Sequence, residues 1–302
     1  LLQKDLATYR CDEPRLTHLM LSMNNQQRRM LFVPYKNKFG KDLISEIQRL
    51  CRRNFKNVMV ALLESPTTLD VKQLRYSMKG LGTTERILIE ILATRNNTEL
   101  AAIRTEYQKA YGHSLASDVI GDTSGSFRQL LVSLLQGRRS ESSWVDFSSA
   151  YQEAYKLSEA CKRRARNLDA DFNRVLVTQS YVQLRKIFEY FKEMAGYTIE
   201  QAITKFFRRD TRRGFLAVVA SAVNKPKFFA QQLYASMKGL GTRNNDLIRL
   251  IVSRAEIDMA AISDEFEVAY GKTLVDYIRG DTSGGYRDAL IAIVKGNSKY
   301  RY

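Results

Sequence analysis

The sequence predicts an all-α protein built from internal repeats, and three observations carry that expectation. Ser77-Met78-Lys79-Gly80-Leu81-Gly82-Thr83 recurs letter for letter as Ser236-Met237-Lys238-Gly239-Leu240-Gly241-Thr242. Apolar residues fall at helical spacing, with Ile87, Leu88, Ile91 and Leu92 on one face and Phe127, Leu130, Leu131, Leu134 and Leu135 on another. Alternating strand patterns are not sustained anywhere, and prolines stand in linker-like places such as Ser65-Pro66 and Lys225-Pro226.

The repeat extends beyond the heptapeptide. Ala110-Tyr111-Gly112 matches Ala269-Tyr270-Gly271, and Gly121-Asp122-Thr123-Ser124-Gly125 matches Gly280-Asp281-Thr282-Ser283-Gly284. The offset of 159 residues is too long for one common helical repeat and suits two units of about seventy to eighty. Two drifted copies complete the pattern. Gly40-Lys41-Asp42-Leu43 followed by Val58 to Leu63 resembles the back half of a unit, as do Leu184 to Phe188 with Phe215 to Val223. Four units follow, at 1–66, 67–138, 139–225 and 226–302, each of about five short helices. A single unit is expected to be unstable alone, because its buried face needs neighbours.

Composition narrows the function classes. With 302 residues and 44% hydrophobic content the chain can bury a substantial core. No window approaches the roughly 18 to 20 uninterrupted apolar residues of a membrane span; Phe215 to Val223, for instance, runs into Asn224, Lys225 and Pro226. The chain opens Leu1-Leu2-Gln3-Lys4 without an initiator Met, so a native N-terminal tail is expected to precede it. Cys11, Cys51 and Cys161 form neither a disulfide framework nor a zinc pattern, which favours a reducing compartment. The net charge of +16 calls for an acidic partner: anionic lipid, nucleic acid or sulfated glycan.

The repeated loop is suited to a hard cation. Its two glycines permit left-handed backbone, so that several carbonyls can turn on one point. The preceding helix ends near Tyr76 to Met78, where unpaired carbonyls and the negative end of the dipole favour a cation. Thr83 and Thr242 are expected to cap the next helix, beginning at Thr84 or Asn244. Calcium takes about 6 to 8 oxygen ligands, within reach of loop carbonyls, one bidentate carboxylate and water. Asp122 and Asp281 follow their loops at the same distance, 39 residues after Thr83 and Thr242. The alternative for either piece taken singly is that the Asp merely N-caps the following helix and the loop is a plain helix-helix turn. Their pairing, twice at one spacing, points to a site.

On these residues the chain resembles the annexin family, whose repeats carry a Lys-Gly-x-Gly-Thr loop followed at this spacing by Asp or Glu. The resemblance covers essentially the whole chain and implies a curved disc of four five-helix repeats. It also implies calcium as cofactor, held by the carbonyls of Met78, Gly80 and Gly82 with Asp122, and of Met237, Gly239 and Gly241 with Asp281. In annexins the ion bridges loop and lipid phosphate, so the implied partner is an acidic phospholipid surface and the implied setting cytoplasmic, peripheral on membranes when calcium rises, with export left open. Leu81 and Leu240 stand at the loop tips, in reach of a lipid interface.

The other two units depart from the family pattern. Alignment puts Cys11 at the Thr position and Leu50 at the carboxylate position of the first unit; in the third, Cys161 to Asn167 cover the loop and Phe206 the carboxylate, with Asp210 nearby. Both calcium sites are expected to be lost. Basic residues concentrate in these units, 12 against 6 acidic in the first and 16 against 10 in the third, compared with 9 against 7 and 11 against 9 in the others. Arg49, Arg52 and Arg53 flank the first lost site; Lys162, Arg163, Arg164, Arg166, Arg208, Arg209, Arg212 and Arg213 surround the third. The expectation is that these side chains replace two calcium bridges with calcium-independent attraction, the alternative being a solvated basic face. Cys11 and Cys51 are also expected to approach across the first lost site.

Two rival functions are weaker. Gly271-Lys272-Thr273 lacks the earlier glycine of a phosphate-binding loop, Phe266 standing there, and neither His18 nor His113 belongs to a recognisable catalytic constellation, so no enzyme is expected. A binding module for heparin-like glycan or nucleic acid would use the charge but leave the twin loops unexplained; sulfated glycans remain a possible additional partner, and no specific nucleic acid is expected.

Overall fold

The structure, a computed structural model, describes residues 11–80 and 82–296. Those residues fold into helices and connecting turns, with no strand among them. The chain divides into two compact units, one of residues 70–225 and one of residues 1–69 with 226–302.

Within residues 70–225 lie the body of α6 (Pro66–Met78) and α7 (Glu85–Thr94), α8 (Asn97–Tyr111), α9 (Leu115–Asp122) and α10 (Gly125–Leu135). They are followed by α11 (Phe147–Arg163), α12 (Leu168–Thr178), α13 (Tyr181–Ala195), α14 (Ile199–Phe206) and α15 (Arg209–Val223). Helices α7, α10, α12 and α15 pack on one another and form the core, while α11 lies along α13. Every residue of α7 from Ile87 to Thr94 is buried, Glu90 included, so past its first two residues this helix has no solvent face and depends on neighbours all round. The apolar faces read from the sequence, Ile87 to Leu92 and Phe127 to Leu135, lie in this core. Phe172, Phe207 and Phe215 add an aromatic cluster with centroids 4.9 to 6.1 Å apart. At Gly214 any side chain would meet Leu130 2.5 Å away, which sets how closely α15 can approach α10.

The other unit contains α1 (Glu13–Leu21), α2 (Asn25–Arg29), α3 (Phe32–Phe39), α4 (Leu43–Leu50) and α5 (Arg53–Leu63). It also holds nearly all of α16 (Lys225–Met237), with α17 (Asn244–Arg254), α18 (Met259–Tyr270), α19 (Leu274–Asp281) and α20 (Gly284–Gly296). Here α1, α5, α17 and α20 make the core. Helices α2 and α3 replace one longer helix. Pro34 has no N–H to give the carbonyl of Met30 and its ring would crowd it, so the chain breaks at Met30-Leu31 and restarts with Pro34 in a first turn. Arg28 is buried in this unit and donates to the carbonyls of Leu62, Met20 and Met23 and to Glu256.

One punctuation mark runs through both units. Gly40, Gly112, Gly196 and Gly271 end their helices in the left-handed conformation, and two residues later Asp42, Ser114, Thr198 and Thr273 cap the next helix through a side-chain oxygen. The drifted first and third copies thus keep the turn chemistry of the second and fourth.

Two expectations about stability follow. Arg95 meets Asp70 through Nε and Nη2 at 2.6 and 2.7 Å, both side chains being buried. Arg95→Ala strands a buried carboxylate and should cost about 3 to 5 kcal/mol in urea unfolding; a loss under ~1 kcal/mol would show that the pair is solvated. In the other unit the Cys51 thiol donates to Cys11 Sγ at 3.0 Å, the approach expected from the sequence. That bond and burial push the Cys51 pKa up, and burial pushes Cys161 up to about 11. Mild treatment with a disulfide-forming oxidant should join Cys11 to Cys51 with loss of two hydrogens. Thiol titration after unfolding should then find Cys161 alone, whereas retention of all the thiols would refute the pairing.

Candidate functional site

The twin loops follow α6 and α16. Gly80 and Gly82 have φ of +106° and +87°, and Gly239 and Gly241 repeat them at +110° and +85°. These values lie where a Cβ would be strained, which explains why glycine stands at both places. A backbone bond closes each loop: Thr84 N–H donates to Ser77 C=O at 2.7 Å, and Arg243 N–H to Ser236 C=O at 2.8 Å. Met78 and Met237, whose carbonyls the resemblance assigns to calcium, have buried side chains that anchor the loops to the core. Leu240 is fully exposed at its loop tip, whereas Leu81 lies outside the described residues.

Asp122 and Asp281 are the last residues of α9 and α19, and a threonine ties each helix end to its loop. Thr83 Oγ1 donates to the Asp122 carbonyl at 3.0 Å, and Thr242 Oγ1 to the Asp281 carbonyl at 2.9 Å. In the fourth repeat Thr242 Oγ1 also lies 2.6 Å from Asp281 Oδ2. The expected capping role of Thr83 and Thr242 is therefore corrected. Thr84 and Arg243 occupy the N-cap positions of α7 and α17 without a side-chain cap, because the threonine hydroxyls are spent on the tether. The capping reading of Asp122 also fails, since Ser124 is the N-cap of α10. Sequence reasoning missed the tether although its signal, one fixed Thr-to-Asp spacing in both copies, was in view.

Among the described residues no three His, Cys, Asp or Glu side chains gather as a metal-binding group. A cation at these loops would be held by carbonyl oxygens, one carboxylate and water, a hard-oxygen set that suits calcium and not zinc. The residues present fit that ion at the second and fourth repeats.

They do not fit it at the others. In the first repeat the thiols of Cys11 and Cys51 stand beside Leu50, where a carboxylate would be needed. In the third, α11 runs on to Arg163, and Arg164 and Ala165 return their N–H groups to the carbonyls of Cys161 and Ala160. Phe206 ends α14, and Asp210 is bound by Arg213 at 2.9 Å.

The basic residues there divide into two sets. Arg49 pairs with Glu46, Lys162 and Arg163 share Glu159, and Arg208 turns back onto the carbonyls of Thr204 and Lys205. Arg52, Arg53, Arg164, Arg166, Arg209 and Arg212 form no ion pair among the described residues. Three of these have left-handed backbone: Arg53 at φ +50°, Arg164 at +48° and Arg209 at +47°. Arg53 and Arg209 open α5 and α15 where Gly125 and Gly284, at +57° and +62°, open α10 and α20. The fold thus demands a left-handed residue at the head of the last helix in every repeat, and two repeats meet it with arginine instead of glycine.

A repeat protein whose alternate units carry glycine-hinged, Asp-tethered loops has the makings of a hard-cation-dependent binder. Comparison with known proteins gives the family. The sequence model of the annexin family matches residues 1–62, 69–134, 152–218 and 228–293. The chain is 40% identical to annexin A13 of Mus musculus over 283 residues, covering 94% of this chain and 89% of that one. It is 38% identical to human annexin A7 over 294 residues, 97% of this chain but only 60% of that longer protein. The structure resembles annexin III with a TM-score of 0.95 at 35% identity, covering 97% and 91% of the two chains. A calcium-bound structure of annexin (Sm)1 gives a TM-score of 0.87 at 28% identity, covering 97% and 88%. The chain belongs to the annexin family.

A non-glycine residue in the left-handed region costs about 1 to 2 kcal/mol. Arg209→Gly should therefore stabilise the protein by about 1 kcal/mol in urea unfolding, the gain being trimmed by glycine's freedom in the unfolded chain. A loss of stability would mean that the arginine side chain contributes more packing than its backbone costs.

Proposed function

We propose that this chain binds acidic phospholipid surfaces through calcium held at the second and fourth repeats, with arginines of the first and third adding calcium-independent attraction. The observation that carries the reading is the pair of equivalent loops, each with two left-handed glycines and each tied by threonine to an Asp-bearing helix end. The carbonyls of Met78, Gly80 and Gly82 with Asp122, and of Met237, Gly239 and Gly241 with Asp281, would hold the ion. Bound there, calcium supplies positive charge and coordination positions for lipid phosphate oxygens. The chain itself keeps the loop backbone turned, fixes the helix end that bears the carboxylate, and presents Leu240 to the interface. Calcium-bound annexin (Sm)1 supports the choice of ion.

The arginines act through charge alone. Near an anionic surface each Lys or Arg contributes about 1 kcal/mol, an attraction that salt screens. Arg52, Arg53, Arg164, Arg166, Arg209 and Arg212 suit this role better than Arg49, Lys162, Arg163 and Arg213, whose charges are already met. Left-handed backbone retained at an arginine where glycine would serve supports a use for its side chain. The same unpaired guanidinium groups favour a second reading, attachment to sulfated glycan, which would be salt-sensitive and independent of calcium.

Sedimentation with phosphatidylserine liposomes separates these contributions. Pelleting in calcium should exceed pelleting in chelator, and Asp122→Ala with Asp281→Ala should remove that difference. Changing Arg164, Arg166, Arg209 and Arg212 to Gln should lower the remaining, chelator-resistant pelleting. Wild-type pelleting that ignores calcium would discard the calcium bridge, and an unchanged chelator-resistant fraction would discard the arginine contribution.

A further inference from the structure

At the far end of α7 from its loop, inside the unit of residues 70–225, lies a cavity of about 300 Å³. The ten residues of α7 put about 15 Å between the two places. The cavity is therefore separate from the proposed calcium site. Leu100, Leu134, Val177 and Val182 make an apolar wall, and the remaining lining is rich in cations.

Its cations outnumber its acids, Arg95, Arg138, Arg139 and Lys225 standing in the lining with Glu141. Arg139 is half-buried, yet its guanidinium meets only a backbone carbonyl and a ring. Nη1 donates to Gln179 C=O at 2.8 Å, Cζ lies 4.8 Å from the Tyr181 ring centroid, and Nη2 is buried with no hydrogen-bond partner. Burial pushes the Arg139 pKa below its ordinary value. Lys225 brings a second cation to the same ring, with Nζ 5.3 Å from the centroid while it donates to Thr94 C=O at 3.0 Å. Arg138 is exposed at the rim. Arg95 also lines the cavity, but Asp70 satisfies it. The carboxylate of Glu141, the acidic residue of the lining, accepts from Asn97 N–H at 2.9 Å.

Helix ends offset one another here: α8 and α13 begin at the lining with their caps Asn96 and Ser180, while α7, α10 and α12 bring their last turns to it through Thr94, Leu134 and Val177, so the side chains set the sign of the cavity. A buried guanidinium nitrogen without an acceptor is costly, and an oxyanion is the partner that a planar fork of N–H donors matches. The volume is at the lower end for small-molecule pockets, enough for one ring-sized body with a charged head.

We propose that this cavity binds a small, soluble phosphate monoester, its phosphate on Arg139 and Lys225 and its apolar body against Leu100, Leu134, Val177 and Val182. A phosphate monoester carries between one and two negative charges at neutral pH, which answers a lining with more cations than acids better than a carboxylate does. The wall explains why an organic ester is chosen over the bare ion. This binding goes beyond the membrane function and does not depend on it.

Isothermal calorimetry in chelator tests the assignment with phenyl phosphate, inorganic phosphate and phenol. Phenyl phosphate should bind at least about tenfold more tightly than either fragment, as expected when a buried ring adds to a charged head. Arg139→Gln should weaken it tenfold or more. Ser140→Glu, an exposed change that sets a carboxylate beside the guanidinium, should do the same, and answers the question if Arg139→Gln fails to fold. Both variants should retain wild-type calcium-dependent pelleting with liposomes. No heat from phenyl phosphate, or affinity unchanged in Ser140→Glu, overturns the proposal. Inorganic phosphate binding as tightly as phenyl phosphate overturns the organic body.

Discussion

The architecture depends on helices too apolar to be left at a surface. With Ile87 to Thr94 buried without interruption, α7 must be enclosed on all sides, and one repeat of five helices cannot do that. The second and third repeats therefore share a core through α7, α10, α12 and α15, as the first and fourth do through α1, α5, α17 and α20. Once helix sides are consumed by packing, only helix ends and loops are free to vary. That is where the four repeats differ chemically.

The left-handed backbone positions show how such variation is limited. Each repeat opens its last helix with φ near +50° to +60°, at Arg53, Gly125, Arg209 and Gly284. Packing keeps the backbone in that shape with or without glycine, so the first and third repeats retain this turn at the head of the last helix, although the third differs in the loop after its first helix. They carry arginine there instead. A repeat can thus carry arginine in place of glycine at this position without altering the helices that support it.

The two ends of α7 differ in what surrounds them. Before its start, α6 stops at Met78, and the negative end of its dipole meets the loop that precedes α7, a setting that favours a cation. At its end, Arg139 and Lys225 stand against the Tyr181 ring, and side-chain charge gives the cavity its sign. A chain whose net charge of +16 would, taken alone, suggest anion binding everywhere thus offers two chemically different settings within one unit.

The sequence by itself determined the helical class, the fourfold repetition, the loops bearing Met78 to Thr83 and Met237 to Thr242, and their Asp residues at one spacing. Those features are written locally, in periodicity and in glycine placed where the backbone needs it. It also brought Cys11 and Cys51 together, because register between repeats carries over from one copy to the next. Only the tertiary structure decided that Thr83 and Thr242 are tethers and not caps, since their acceptors lie 39 residues away. It alone separated neutralised arginines from unpaired ones and revealed left-handed Arg53 and Arg209. The cavity around Arg139 was beyond reading from the sequence. Its walls come from α7, α8, α10, α12 and α13 together, and Tyr181 is positioned by a hydrogen bond to Ala93, 88 residues earlier. Local pattern specifies where helices start and stop, but which side chains share a space is set by packing between segments far apart in the chain.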